Sequence, residues 1–510
     1  MEKLKNVFKD KTLVFHILII VIGIIFVSLS AFHSNTWFDE SYSVGISSDH
    51  SFAEIWTIGG HDVHPVLYYW ILHIIFLIFG NQIMLYRLFS VLTVAILGII
   101  GLTHIRKDFG PKVGLLFSFF AYFLPINLVY AGEIRMYSLA MLLVTLMAIY
   151  AYRIYKNNSE KNIKNWILFG IFSLASAYTH YYGLVAAGII NIALFIYFVR
   201  QSVKAKKFSH NLKAFIITGV IQIAAYLPWV IYLMLQISQV SAGFWIGVSF
   251  PGTLIEMFTF QFTGNLGGTQ YVPNWVAGIF GGIICIYVIY LYIKNRKNKE
   301  ENRPAKFAII TYALVLLAVC IVSLIIWRPI IYARYMLCIT GLLIFFISFF
   351  MAKYGNKYIN VAICVISLVL SIYINIGLIQ ENYDESNNQP VEYFNSKVEE
   401  NDIIIYENDL GSFNIPVKYP DVQKYFWDRE HWNVEEAYRA FGPNMTTIYE
   451  LDELEDFSGR IWAINSDDYS VAEAVEKELG GKVIEKAKFV TKYRDNKYTF
   501  CLLEVGEVEK

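Results

Sequence analysis

Long apolar runs, each nearly free of charge, recur along the chain up to about residue 380 and leave little choice of fold. Residues 12–32, 82–104, 112–129, 133–155, 164–181, 183–199, 213–235, 275–293, 307–327, 335–352 and 358–378 each approach or exceed the roughly 18–20 residues that cross hydrocarbon. Lipid offers no partner to backbone N–H and C=O groups, so every such run is expected as a helix. The expected fold class is an α-helical polytopic membrane protein with about eleven transmembrane helices. Charged residues make up only 16% of the chain, against about a quarter in soluble domains, which excludes an ordinary soluble globule.

Net charge is zero but segregated. Residues 1–380 carry 28 Lys/Arg against 13 Asp/Glu, and residues 381–510 carry 14 against 29. Two domains are therefore expected: 1–380 as the multi-spanning part and 381–510 as an acidic extracytoplasmic α/β domain, joined by the polar run Glu381–Pro390. In the second, 402–406, 446–449, 460–465, 482–490 and 498–505 read as strands, and Val471–Leu479 before Gly480-Gly481 reads as a capped helix. Of five cysteines, Cys501 stands alone in this domain, so it is expected to fold on its core without an internal disulfide.

The basic residues sort the loops. Lys3–Lys11, Arg106–Lys112, Arg153–Lys164, Arg200–Lys213, Lys294–Lys306 and Lys353–Lys357 hold 24 of the 28 cations before residue 381, and the positive-inside rule places them in the cytoplasm. The apolar stretch 65–80 must then be embedded without crossing, because a full crossing would put three basic loops outside. An odd number of spans leaves the N-terminus cytoplasmic and the C-terminal domain extracytoplasmic. The first span is expected to stay uncleaved, since cutting after Ser28–Ala31 would untether the loop that follows.

The cations left on the outer side are all arginines: Arg87, Arg135, Arg328 and Arg334. A guanidinium fork suits phosphate oxygens. Pairing with Asp62 or Glu133, or snorkelling to head groups, is the structural alternative for any one of them.

Motifs on this face carry the chemistry. Asp39-Glu40 stand just past the first span, where one carboxylate can take a hydroxyl proton while its neighbour orients it. Helix-start acids favoured by the dipole are the structural alternative. In Gly60-His-Asp-Val-His-Pro65 the histidine spacing suits a divalent metal, but no further ligand motif stands nearby and no metal is assigned. His64 is read instead as capping the embedded helix, with Pro65 in its first turn. A helix starting at Glu133 would put Glu133 and Tyr137 on one face and Arg135 elsewhere. Tyr178-Thr-His-Tyr-Tyr-Gly183 reads as a tight hairpin with His180 and Tyr181 on the same side, and Arg334 precedes another span.

At these residues the sequence resembles the dolichyl-phosphate-mannose–protein mannosyltransferase superfamily (glycosyltransferase family 39-like), which includes the bacterial aminoarabinose transferases of lipid A and has the GT-C fold. The resemblance runs over most of 12–380. It rests on Asp39-Glu40, on His64–Tyr69 followed by Phe79-Gly80 and Arg87-Leu88, on Glu133–Tyr137, on Thr179–Gly183 and on Arg334-Tyr335. It implies a polyprenyl-phosphate-linked sugar as donor, transferred with inversion to a hydroxyl of a glycan, lipid or protein. Asp39 would match the family's catalytic acid, with Glu40 engaging the acceptor. Arg135 would match an arginine on the donor phosphate, helped by Arg334 and His180, with His64, Glu133, Tyr137 and Tyr181 in support. Val66 departs from the family, where a second proline often follows.

The chemistry agrees with that expectation. A leaving phosphate needs its charge stabilised more than protonated, and no nucleotide-binding glycine loop follows a strand; Gly264–Gly268 lies in an outer loop. That loop, 236–274, reads as an interfacial segment held by Phe244 and Trp245 with a modest gating role. No nucleic acid and no cofactor are expected as partners beyond the lipid bilayer and the donor. The competing function is a transporter or flippase of lipid-linked saccharide, but such proteins carry internal repeats and mid-membrane polar breaks, and no repeat is visible. A sensor with an external ligand-binding domain leaves Asp39-Glu40 and the arginines without a role.

Overall fold

The computed structural model describes residues 10–48, 50–157, 162–242, 246–248, 251–264, 271–409, 411–432, 434–442 and 444–506. Phe244 and Trp245, the glycine-rich Asn265–Thr269, and the basic residues Lys3–Lys9 and Lys161 lie outside the described residues.

Among the described residues, nine helices are long and apolar enough to cross a membrane, and ten if a bent pair counts as one span. They are α1 (Lys11–Ser28), α5 (Ile83–Phe109), α8 (Tyr137–Lys156), α10 (Tyr181–Ala205), α11 (His210–Ala242), α13 (Asn274–Lys294), α14 (Lys299–Ile325), α15 (Leu337–Tyr354, entered through a 3-10 turn from Ala333) and α16 (Lys357–Asn382). The bent pair is α6 (Pro111–Phe123) and α7 (Pro125–Ala131). The eleventh apolar run is α9 (Ile163–Thr179), 17 residues long with Lys164 and Asn165 in its first turn, and the shorter α12 (Gly252–Thr263) stands between α11 and α13 in the chain. The chain is a multi-pass membrane protein.

The run 112–129 bends by 59° because Leu124 precedes Pro125 and is held extended, at φ −79° and ψ 124°. A break in hydrocarbon frees backbone carbonyls that must find donors. Here the Ser367 and Ser371 hydroxyls both donate to the Phe123 carbonyl, the latter at 2.9 Å. Tyr122 shows how tightly these helices approach. Its ring fills the space beside Gly23 and Gly98, where a Cβ would lie about 2 Å from ring atoms, and its hydroxyl donates to the Ala95 carbonyl at 2.9 Å.

The chain forms two compact units. The first joins Met1–Ala31 with Arg87–Ile376, and the second joins Phe32–Tyr86 with Gly377–Lys510. The second unit thus takes the loop after the first span together with the C-terminal domain.

In the first unit the basic loops gather at one end of the bundle. Arg106 pairs with Asp10 at 2.7 Å, Arg153 with Asp108 at 2.8 Å and Lys353 with Glu301 at 3.0 Å, while Arg303 reaches the Tyr155 hydroxyl.

The second unit is built on a sheet of β1 (Ile403–Glu407), β2 (Gln423–Trp427), β3 (Met445–Ile448), β4 (Gly459–Asn465), β5 (Lys482–Val490) and β6 (Lys497–Val505), in the order β3-β2-β1-β4-β6-β5. The first four are parallel neighbours; β6 runs antiparallel to β4, and β5 to β6. Parallel strands are buried on both faces, which explains the continuous Ile403–Ile405 run. Its core includes Ile403, Ile405, Ile461, Leu503 and, from the helix Ser470–Glu478, Val471 and Val475.

Three helices of the early loop complete this unit: α2 (Phe38–Ser47), α3 (Phe52–His61) and α4 (Leu67–Phe79). A capping box starts α3, in which Ser51 Oγ accepts from the Glu54 backbone and Glu54 answers to the Ser51 backbone N–H. With 13 residues, α4 is about 20 Å long, short of the roughly 30 Å hydrocarbon core. It ends at Gly80, whose φ of 73° is the left-handed conformation that favours glycine. Its start corrects the sequence reading: the helix begins at Leu67 after Val66, with no side-chain cap, so His64 does not cap it and Pro65 stands outside the first turn.

Candidate active site

The acid pair lies in the first turn of α2. Helix α2 is fixed by close packing: Phe38 meets Phe413 and Phe441 at ring separations of 5.2 and 5.4 Å. A Cβ on Gly45 would lie 2.0 Å from the Ala440 carbonyl oxygen, so only glycine permits this approach. The Ser41 hydroxyl bonds Thr36 Oγ1 at 3.0 Å and Asn414 Oδ1 at 2.7 Å.

Glu40 is fully buried, and the Tyr493 hydroxyl donates to its Oε2 at 2.6 Å. Tyr493 opens the tight connection between β5 and β6, where Arg494 and Asp495 both take positive φ. Arg494 stacks on Trp37, with 4.8 Å from guanidinium to ring centre. Asp39 is half-buried beside Glu40, and the Ser43 hydroxyl donates to its backbone carbonyl at 3.0 Å. The pair is thus a buried, tyrosine-bound carboxylate beside a more open one.

His64 is buried, whereas the His61 ring bonds the Thr57 carbonyl of its own helix at 2.9 Å. Among the described residues no group of three or more His, Cys, Asp and Glu is arranged to hold a metal ion.

The first unit carries the outer arginines Arg87, Arg135, Arg328 and Arg334. The buried Arg87 donates to the Gly132 carbonyl. Residues 132–136 are irregular and α8 starts at Tyr137, which corrects the expected helix from Glu133 and its shared face with Tyr137. Glu133 and Arg135 are both buried in that irregular stretch.

His180 caps α10, its Nδ1 accepting from the Tyr182 backbone N–H at 3.1 Å. In the neutral ring the proton is therefore on Nε2. Three tyrosines surround the imidazole, with ring separations of 5.7 Å to Tyr137, 5.6 Å to Tyr182 and 5.0 Å to Tyr335. The Arg334 guanidinium lies 6.0 Å from the Tyr137 ring and 4.9 Å from that of Tyr332. Burial first, then the charges of Arg135 and Arg334, push the His180 pKa down to about 3. The ring stays neutral at physiological pH, with its proton on Nε2, within the field of the Arg135 and Arg334 charges. Chemically this is a buried, donor-rich cluster suited to a multiply charged oxyanion.

Tyr181 does not share that cluster. Its hydroxyl donates to Gln236 and accepts from Trp229 Nε1 at 3.1 Å, so the side chain serves α11 rather than the side expected with His180. Tyr332 and Tyr493 were not singled out by sequence reasoning, and Tyr335 entered it only within the Arg334-Tyr335 motif. Tyr335 carried a signal as the neighbour of Arg334, but nothing in the sequence pairs Tyr493 with Glu40.

Known proteins resemble this chain by family pattern and by fold. The family model described as dolichyl-phosphate-mannose-protein mannosyltransferase matches residues 63–232. No curated protein sequence matches the chain. Two solved structures of ArnT from Cupriavidus metallidurans share its fold. The form bound to undecaprenyl phosphate aligns at a TM-score of 0.62 with 10% identity, covering 95% of this chain and 97% of that one. The apo form aligns at 0.61 with 11% identity and the same coverage. Over nearly its whole length the chain has the GT-C fold of these ArnT structures, with a C-terminal sheet domain following the membrane helices.

Proposed function

We propose that the chain is a membrane glycosyltransferase that moves a hexosyl or pentosyl unit from a polyprenyl-phosphate donor to an acceptor hydroxyl, on the extracytoplasmic side and with inversion. One observation carries this reading: a neutral, buried His180 set among tyrosines and biased by Arg135 and Arg334. Such a cluster offers hydrogen-bond donors and positive charge with little water to screen them, which is what a leaving phosphate requires. The family match at 63–232 supports a lipid-phosphate-sugar donor, as does the fold of an ArnT structure bound to undecaprenyl phosphate.

In this reading the acceptor oxygen attacks the anomeric carbon as the bond from that carbon to the phosphate oxygen breaks. Asp39 takes the hydroxyl proton, and polyprenyl phosphate leaves with the bonding pair. Glu40, held by Tyr493, orients the acceptor. Arg135, Arg334 and His180 stabilise the departing phosphate. His64, Glu133 and Tyr137 shape the surroundings. The basic loops face the cytoplasm, leaving the C-terminal domain outside. The acceptor is a glycan, lipid or protein hydroxyl.

Asp39→Asn tests the assignment, because it keeps the shape while removing the proton acceptor. Purified protein in lipid, with a labelled donor and candidate acceptors, should lose glycoside formation by about 10²–10⁴-fold with donor binding nearly intact. Turnover at the unmodified rate removes Asp39 from the mechanism. Wild-type protein that moves donor lipid between leaflets without making a glycoside is a transporter.

A further inference from the structure

At the basic end of the helix bundle two cavities of opposite character share one wall. The first, of about 300 Å³, lies among α8, α10, α14 and α15 and is almost wholly apolar. It exists because small residues meet there, Ala148, Ala193, Ala308 and Gly341 among them. It follows α8 from Tyr155 to Thr145, about 15 Å along the helix axis, which is about half the hydrocarbon thickness and so the depth of a single leaflet.

The second cavity, of about 640 Å³, is lined mostly by polar and charged side chains. Lys107, Arg153, Lys156 and Lys164 line it, and among the described residues Asp108 is the carboxylate on its wall. Asp108 is engaged by Arg153 at 2.8 Å, which leaves the positive charge with the three lysines. Arg303, at the mouth of the apolar cavity, is engaged by Glu300 and Tyr155 and adds little to this field.

Tyr152 lines both cavities. One face of its ring region packs on Phe109, with centres 4.7 Å apart, and the Lys156 ammonium lies 5.8 Å from its centre. Apolar depth of one leaflet beside a lysine-lined chamber is the complement of an amphiphile with a phosphate head. Basic pockets between membrane helices bind such heads by charge.

We propose that this pair of cavities is a binding site for an anionic glycerophospholipid of the bilayer, its phosphate held by Lys107, Lys156 and Lys164 and one acyl chain filling the apolar cavity. Lys156 lies at the far end of α8 from Tyr137, which packs on His180, and no part of the proposed transfer uses the three lysines.

Native mass spectrometry of the full-length protein, titrated with dioleoyl phosphatidylglycerol and dioleoyl phosphatidylcholine, tests the proposal. The unmodified protein should retain the anionic lipid about tenfold more tightly. The triple variant Lys107→Gln, Lys156→Gln, Lys164→Gln should lose that preference while staying monodisperse. Ala308→Phe should lower retention of both lipids by filling the apolar cavity, and the smaller Ala193→Leu is its partner where the bulkier change unfolds the protein. An unchanged lipid preference in the triple variant overturns the proposal. So does competition by inorganic phosphate as effective as that of the lipid, which would mean a site for the free anion. Preferential capture of undecaprenyl phosphate at the same lysines would also overturn it, in favour of a second site for a polyprenyl carrier.

Discussion

Tyr493 donates a 2.6 Å hydrogen bond to Glu40, joining the turn between the last two strands to a helix 453 residues earlier in the chain. Charge-assisted bonds of this kind are the stronger ones, and a buried carboxylate without its donor is costly. The bond fixes Glu40 as an acceptor with an occupied oxygen, while Asp39 beside it stays half-buried. In the proposed reaction that difference separates a positioning acid from a proton acceptor.

Tyr493→Phe keeps the ring packing and removes the donor. Unfolding of the purified protein in detergent should show a loss of about 1–3 kcal/mol. The acceptor KM should rise while donor affinity holds, and Glu40→Gln should shift the same parameter. Because the two residues share one bond, their combined effect should fall short of the sum by about 0.5–3 kcal/mol. Strict additivity would mean that the bond contributes nothing to either property.

Arg135→Ala should weaken binding of a polyprenyl-phosphate sugar by about 1.5–3 kcal/mol, the worth of a charged hydrogen bond. Arg135→Lys should recover part of this, since an ammonium keeps the charge but loses the planar fork. Isothermal titration with a short-chain donor analogue measures both. Unchanged affinity in Arg135→Ala would mean that Arg135 is a structural partner of its neighbours.

Much of the architecture was legible because hydrocarbon thickness imposes a length on apolar runs. All eleven runs are helices, although α9 falls one residue short of 18 and the 112–129 run breaks at Pro125. Among the described residues of the C-terminal domain, five of six strands were legible in the sequence. Strand β2, Gln423–Trp427, was not: two of its residues are polar, and Lys424 is fully buried in the sheet. The start of α8 was misread because periodicity places Glu133 on a helical face, whereas the chain there stays irregular and its Gly132 carbonyl accepts from Arg87. Asp39-Glu40 and the arginines stood out because charge at the edge of hydrocarbon is costly. Contacts across hundreds of residues, such as Glu40 with Tyr493, leave no periodic trace.

Cysteine labelling checks the proposed orientation. With the five native cysteines replaced, Ser396→Cys on the exposed surface of the second unit should react with an impermeant maleimide in intact cells. Asn298→Cys, exposed at the basic end, should react only after permeabilisation. The reverse pattern would place the basic loops outside and remove the extracytoplasmic assignment.

The histidine in the ring cluster makes the protein acid-sensitive in a definite window. Its pKa, about 3 in the folded chain, is well below the ordinary value of 6.5, so between those limits the unfolded chain binds a proton that the folded chain refuses. Stability from this group is full above about pH 6.5 and is lost as pH falls towards 3, with a slope of up to about 1.4 kcal/mol per pH unit. Thermal unfolding followed from about pH 8 to about pH 4 should show this fall. His180→Asn keeps a capping acceptor for the Tyr182 N–H but cannot take the proton, and it should flatten the fall between about pH 6.5 and 4. Donor binding by the unmodified protein should not follow a His180 titration between about pH 8 and 4, because the folded ring stays neutral there. A variant with the same acid profile as the unmodified protein would place the sensitivity elsewhere, in the carboxylates of the second unit.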